Sequence, residues 1–299
     1  MSIIEKNHIS LYYESYGAAS AQPIVLIMGL GMHGKMWPDS LIAGLMRSGF
    51  RVIVIDNRDC GRSYFYQDYR VRDSELIKSI GRALLRLPVK APYSLNDMAA
   101  DIEMLLDHLQ IRRSHVVGFS MGGMIAQVFA TNYPNRVASL TSISSAVGNP
   151  KTGLGKMTAI YAILRGHEEL KSQEDIIEHA KKVMHCFEGS LYREKDRDIE
   201  KYISEKEWMG YNMDGLKRQL LAILASGDRS AQLRQVCTPS LVIHGTDDPL
   251  LPFQAGKETA DLLSQSRFLP ITGLGHQLPL ALVPLLVKEI TLHCMKNPV

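Results

Sequence analysis

Ser114-His115-Val116-Val117-Gly118-Phe119-Ser120-Met121-Gly122-Gly123 is the stretch on which the fold turns. A short apolar run ends at Gly118, a serine follows two positions on, and Gly122 and Gly123 lead into a helical pattern reaching Thr131. The order is strand, sharp corner, helix, with Ser120 centred in a G-x-S-x-G sequence on the corner. Such a corner forces its central residue toward sparsely populated backbone angles, and flanking glycines remove Cβ clashes. The Ser120 hydroxyl then stands clear of the sheet edge, beside the positive end of the following helix. Taken alone, the five-residue pattern also fits an ordinary loop of glycine and serine. Its surroundings decide.

On the N-terminal side, Ile3-Ile4 and Ile9 to Tyr13 flank a polar Glu5-Lys6-Asn7 turn and read as a β-hairpin. Unalternating apolar runs follow at Ile24 to Met28, Val52 to Ile55, Val116-Val117, Val137 to Ile143 and Leu241 to Ile243, with a weaker one at Arg267 to Ile271. Runs of this kind suit strands buried on both faces of a parallel sheet. Helical patterns lie between them at Ser94 to Leu109, Met121 to Thr131, Phe253 to Leu263 and Leu280 to Met295, the first with Ser94 as its cap. Strands alternating with helices predict an α/β fold with a mostly parallel, doubly wound sheet.

One interval breaks the alternation. From Ala146 to about Gln235 no strand pattern appears, whereas Asp175 to Phe187 and Leu216 to Leu224 are amphipathic helices. The expected organisation is therefore a core of residues 1–145 and 236–299, with 146–235 inserted as a helical cap. The mixed charge run from Arg193 to Lys206 reads as a solvated helix face.

Parallel strands present their carboxyl ends at one sheet edge, where ligands bind in such folds. After the strand at 241–243 comes His244-Gly245-Thr246-Asp247-Asp248-Pro249, and after the last strand Gly273-Leu274-Gly275-His276-Gln277. A serine, an acid and a histidine thus follow successive strands in the order nucleophile, acid, base. A serine hydroxyl attacks well only when a base removes its proton. Imidazole titrates near neutrality and can return that proton to a leaving group, while a carboxylate behind it fixes its tautomer. Ser120, Asp248 and His276 are the predicted catalytic residues. Asp248 is preferred over Asp247, which reads as a loop-capping or solvated carboxylate, and His244 is expected to hold backbone. An oxyanion needs donors: the Met121 amide is one candidate, and the loop after the 24–28 strand supplies the other from Leu30 or Gly29. The Asp56-Asn57-Arg58-Asp59-Cys60-Gly61-Arg62-Ser63 loop reads as a structural carboxylate–guanidinium corner beside the site.

Two other signatures compete. Gly29-Leu30-Gly31-Met32-His33-Gly34 fits G-x-G-x-x-G after a strand, with Asp56 ending the next strand. With Lys35 it fits most of a phosphate-binding loop, but Met36 stands where a Ser or Thr would hold magnesium. Trp37-Pro38 falls where the phosphate-binding helix would already be running, and a proline there breaks its hydrogen bonding. Neither reading accounts for Ser120, Asp248 and His276.

Composition narrows the partners. Apolar residues make up 45%, charged residues 22%, and the formal net charge is +3. That bias is too weak to imply nucleic-acid binding. Cys60, Cys186, Cys237 and Cys294 form no C-x-x-C pair, so no metal site or disulfide framework is predicted. The N-terminus lacks the basic-then-apolar pattern of a signal peptide, and no apolar run approaches the ~18 residues a membrane span needs. A cytoplasmic protein with no membrane partner is expected.

With these residues in place, the chain resembles the α/β-hydrolase superfamily over roughly 1–145 and 236–299. Gly118-Phe119-Ser120-Met121-Gly122 is similar to its nucleophile elbow, His244 to Pro249 to its acid loop, and Gly273 to His276 to its histidine loop. The 56–63 stretch resembles the family's D-x-R-G-x-G-x-S corner, with Asp59 in place of the usual Gly. Met28-Gly29 replaces the common His-Gly. These departures, with Trp37-Pro38 and the Gly275 to Pro279 stretch, resemble the esterase branch that includes aclacinomycin methylesterase. The resemblance implies Asp248 as the acid and no cofactor or metal. Ser120, rather than an aspartate at that position, implies an acyl-enzyme formed on an ester or thioester.

The expected function is hydrolysis of a small-to-medium apolar carboxylic ester, with a small-molecule ester as partner. Perhydrolysis, acyl transfer, amide cleavage and C–C hydrolysis are alternatives on the same three residues. A non-catalytic ligand-binding protein is the alternative from another class. The insertion offers Met157, Met184, Trp208, Met209 and Met213 as adaptable apolar lining.

Overall fold

The structure is a computed structural model and describes residues 2–6, 8–164, 172–206 and 212–299. Eight strands form one sheet: β1 (Ser2–Lys6), β2 (Ile9–Tyr16), β3 (Gln22–Ile27), β4 (Phe50–Ile55), β5 (Ser114–Phe119), β6 (Val137–Ile143), β7 (Ser240–Gly245) and β8 (Ser266–Ile271). Their spatial order is β1-β2-β4-β3-β5-β6-β7-β8. The N-terminal hairpin adds antiparallel to β4, and the six strands β4, β3, β5, β6, β7 and β8 run parallel to one another. Each predicted strand is present, all but β6 longer than its apolar run by one to four residues. Asn7, in the predicted hairpin turn, lies outside the described residues.

Strand residues alternate between two cores. Val25, Ile27, Ile53, Ile55 and Val116 pack on one face, against Met98, Ile102, Ile125 and Phe129. Ile24, Leu26, Val52, Val54 and Val117 pack on the other, against Leu41, Leu45, Leu286 and Ile290. This two-sided burial is why the runs do not alternate in sequence. The helices that supply the two layers are α1 (Asp39–Arg47), α2 (Asp73–Leu84), α3 (Leu95–His108) and α4 (Met121–Asn132), followed after β6 by α5 (Met157–Leu164), α6 (Gln173–Phe187), α7 (Asp196–Glu205), α8 (Met213–Ser226) and α9 (Ser230–Leu233), and after β7 by α10 (Phe253–Leu262) and α11 (Val283–Met295). Ser94 caps α3 as predicted, in a reciprocal capping box with Asp97. The predicted 280–295 helix divides into a single turn at Leu280–Leu282 and α11, with a proline in the first turn of the latter.

Every described element between β6 and β7 is a helix. α5 packs on α6 and α6 on α7, whereas α8 lies against α2 and α3. The Arg193 to Lys206 run is largely α7, which buries Ile199 and leaves most of its charges in solvent, as its sign alternation implies. Among the described residues no helix is long and apolar enough to cross a membrane.

Candidate active site

Ser120 occupies the corner between β5 and α4 with φ 55° and ψ −120°. A non-glycine residue held there is strained, and four hydrogen bonds over-determine it. Its amide donates to Ile143 O at 2.9 Å, and Gly123 and Met124 donate back to its carbonyl at 2.9 and 3.2 Å. Ser145 Oγ donates to the same carbonyl at 2.8 Å. The flanking glycines serve close approach. A Cβ on Gly118 would lie 2.1 Å from Gly122 O, and one on Gly122 would lie 2.1 Å from Ile27 O.

Ser120 Oγ lies 2.9 Å from His276 Nε2, and His276 Nδ1 lies 2.7 Å from Asp248 Oδ2. An ionised carboxylate only accepts, so Nδ1–H donates to Asp248 and Nε2 is left to accept from the serine hydroxyl. The other Asp248 oxygen, Oδ1, accepts from the amides of Leu250 and Leu251 at 2.9 and 2.8 Å, fixing the carboxylate plane. All three residues are buried. The His276 ring sits between Phe119 and Phe187, with centroids 5.2 and 5.7 Å away.

The neighbouring groups divide as expected. Asp247 accepts from the Ser190 amide at 3.0 Å and from Thr246 Oγ1 at 2.8 Å; hydrogen bonding from the Ser190 side chain, then Thr246 and the Ser190 amide, holds its carboxyl below the usual range. It ties the acid loop to the chain leaving α6. His244 Nε2 donates to Leu251 O at 2.8 Å, and burial pushes its ring pKa down. In the 56–63 corner, Arg58 pairs bidentately with Asp101 of α3 at 2.7 and 2.6 Å. Asp59, at φ 64°, keeps the left-handed backbone that a glycine would adopt. Its carboxylate is bidentate with Arg218 of α8 at 2.8 Å on both oxygens and accepts from Tyr93 Oη at 2.6 Å. The departure from the family's glycine therefore anchors α8 to the core. Asp56 takes the amides of Gly34 and Arg62 at 2.6 and 2.9 Å.

The loop after β3 turns tightly toward Ser120. Met32 N–H donates to Gly29 O at 3.2 Å, and Gly31, third in the turn, has φ 68°. Gly29 abuts the serine: a Cβ there would lie 3.2 Å from Ser120 Cβ. Among the described residues, the amides of Leu30 and Met121 donate to no protein acceptor. Gly31 N–H, by contrast, donates to Gln219 Oε1 at 2.7 Å, and Gln219 Nε2 donates to Arg58 O at 2.8 Å. Gln219 is wholly buried and sits on α8. Sequence alone shows no sign of this contact, which spans 188 positions. The absence of a helix at Gly31 also disposes of the dinucleotide signature: a single turn at Gly34–Met36 follows, and α1 begins only after Pro38.

A cavity of about 250 Å³ opens over Ser120 and His276. Ile176, Val183, Met184 and Phe187 of α6 line one side, and Met28, Met32 and Met36 another. Of the methionines predicted to line the insertion, Met184 does so. Met157 is 68% exposed and Met213 lies away from the cavity wall, because their helices turn those faces elsewhere. Trp208 and Met209 lie outside the described residues. Glu194, which no sequence motif marks, lines the cavity with its carboxyl pushed up by burial.

Known proteins share this architecture. The chain is 27% identical to rhodomycin D methylesterase DauP of Streptomyces sp. strain C5 over 312 residues, 97% of each chain. It is 29% identical to a putative carbamate hydrolase, RutD, of Variovorax paradoxus, over 91% of this chain and 92% of the relative. The meta-cleavage product hydrolase CumD of Pseudomonas fluorescens IP01 superposes with a TM-score of 0.75 at 18% identity, covering 100% of this chain and 98% of that one. Residues 22–280 match the alpha/beta hydrolase fold family. With a strand-corner-helix serine at its centre and this match over most of its length, the chain is a hydrolase belonging to the alpha/beta hydrolase fold family.

Proposed function

We propose that the chain is a serine hydrolase that cleaves a small-to-medium apolar carboxylic ester or thioester through an acyl-enzyme. The observation that carries this reading is the continuous chain Ser120 Oγ, His276, Asp248 at 2.9 and 2.7 Å. Ser120 Oγ attacks the acyl carbon as His276 Nε2 takes its proton. The tetrahedral oxyanion accepts from Met121 N–H and from Leu30 N–H or Gly29 N–H. His276 then returns the proton to the departing alkoxide, and a water molecule activated by the same ring hydrolyses the acyl-enzyme. Asp248 holds the imidazole orientation and stabilises the imidazolium.

Residues 146–235 act as a cap on the core formed by 1–145 and 236–299. The apolar lining from α6 and the methionine-rich β3 loop supports an apolar substrate. The methylesterase name of the DauP relative agrees with an ester bond. Free thiols at all four cysteines support a reducing, cytoplasmic setting.

Turnover of a p-nitrophenyl ester by the wild type and by Ser120→Ala tests the mechanism. A loss of about a thousandfold or more is expected, and unchanged turnover overturns it. Adding peroxide or an amine acceptor separates hydrolysis from transfer: free acid as the main product supports the proposal.

A further inference from the structure

Between Ser63 and Ser94, where no strand or helix pattern stands out in the sequence, lies α2, with an outward face that is apolar and basic at once. Its inner face, Leu76 and Ile80, packs with Val71 and Leu221 against α8. Its outer side carries Ile77 at 69% exposure, Leu84 at 47% and, just past the helix, Leu85 at 73% and Leu87 at 47%. Ile77 and Leu84 are seven residues apart and share one stripe. Lys78 and Arg82, four apart, run beside it.

The charge in this region is one-sided. Residues 70–90 contain Arg70, Arg72, Lys78, Arg82, Arg86 and Lys90 against Asp73 and Glu75, a surplus of four in a chain whose net charge is +3. Part of it is neutralised from α8 and beyond, where Arg70 and Arg86 reach Asp214 and Asp228 at 3.8 Å; Lys217, by contrast, takes Asp73 and so removes one of the two acids. The remaining cations converge. A surface cavity of about 380 Å³ is lined by Arg72, Lys78, Arg82 and Lys90, with Glu75 as the acid among its lining residues. Glu75 is engaged by Tyr69 Oη, and Arg82 Nε donates to Pro88 O at 2.7 Å.

We infer that α2 and the 84–90 turn form a docking surface for an anionic phospholipid bilayer. Lipid phosphates meet the cations of the cavity, and Leu84, Leu85 and Leu87 enter the boundary between headgroups and acyl chains. A bilayer satisfies both halves of the surface together. A second copy of this chain, docked face to face, would set its own cations against these and bring like charges into contact. This departs from the expectation of no membrane partner, which rested on the lack of an apolar run long enough to span; docking at the surface needs no such run.

The test is cosedimentation of the full chain with phosphatidylcholine vesicles, with and without phosphatidylglycerol. Binding is expected with phosphatidylglycerol, weak without it, and released near about 1 M salt, where screening acts over about 3 Å. Each cation removed near a charged bilayer weakens partitioning about fivefold, so Lys78→Glu with Lys90→Glu loses more than tenfold. Leu85→Ser with Leu87→Ser also weakens binding, and both pairs keep the wild-type unfolding midpoint. Equal binding to neutral vesicles, no binding, or variants that pellet like the wild type overturn the inference. So does a concentration-dependent dimer dispersed by the leucine substitutions, which would mean that a second copy covers the face.

Discussion

The backbone amide of His276 donates to Phe187 O at 2.7 Å. The last residue of α6 thus holds the loop that carries the imidazole, and its own ring packs edge-on against that imidazole. The contact is extended by Leu191 N–H to Gly273 O at 2.9 Å and by Ser190 N–H to Asp247. α6 and the chain leaving it therefore line the cavity and also hold the loop on which the His276 ring sits.

Gly189→Ala tests that coupling. A Cβ at 189 would lie 2.3 Å from Gly273 O and 2.7 Å from Gly275 N, so the histidine loop must move. A displacement near 1 Å at a reacting group can lower the rate about a hundredfold. The expected outcome is a fall in kcat of that order, measured with a small ester, with the unfolding midpoint changed little.

Gln219→Leu probes the β3 loop. The substitution keeps bulk but leaves Gly31 N–H and Arg58 O without partners, and each such loss costs about 1–3 kcal/mol. Part of that cost falls on stability. The part specific to catalysis is loss of the peptide orientation that presents Leu30 N–H to an oxyanion. Affinity for a trifluoromethyl ketone, which forms a serine adduct with an oxyanion, should fall at least tenfold, with KM for the ester nearly constant. Equal losses in both would mean that Gln219 merely supports the fold.

The two adjacent aspartates separate cleanly. Asp248→Asn gives the His276 ring an amide where it needs a carboxylate, and kcat should fall by about 10⁴-fold. Asp247→Asn retains an acceptor for Ser190 N–H and should leave kcat within about tenfold of the wild type. A large loss at 247 and a small one at 248 would reverse the assignment.

Acid should destabilise the fold through histidines buried without charge. Burial pushes His115 down to about 4 and lowers His244 and His293 as well. In the unfolded chain these rings titrate near 6.5, so below that pH the unfolded state binds more protons than the folded one. Stability is thus full above about pH 6.5 and is lost as the pH falls toward the folded values. For His115 alone the loss reaches about 2 kcal/mol by pH 5. Urea midpoints between pH 7.5 and 5 measure it, and a midpoint that rises on acidification contradicts the account.

Much of this was legible in the residues, and the reasons for success and failure are physical. The G-x-S-x-G corner, the acid loop and the histidine loop are local patterns, and strands buried on both faces leave unmistakable apolar runs. Ser94 signalled α3 because its capping box is a contact within four residues. The α2 helix gave no such signal: its outward leucines blur the period on which a helix is recognised. Gln219 and the Arg218–Asp59 pair were invisible because each depends on how α8 packs, across 188 and 159 positions. Of the described methionines expected as lining, Met184 alone reaches the cavity, for the same reason. Helix patterns identify a face, and only packing turns it toward the cavity.

The central claim is that Ser120 becomes acylated. Peptide mapping by mass spectrometry after incubation with a fluorophosphonate, and separately with a p-nitrophenyl ester quenched in acid, measures this directly. The account predicts an adduct on the peptide carrying Ser120, competed between the two reagents and absent from Ser120→Ala. Ester turnover by an unmodified Ser120→Ala chain, or an adduct on another residue, would contradict it.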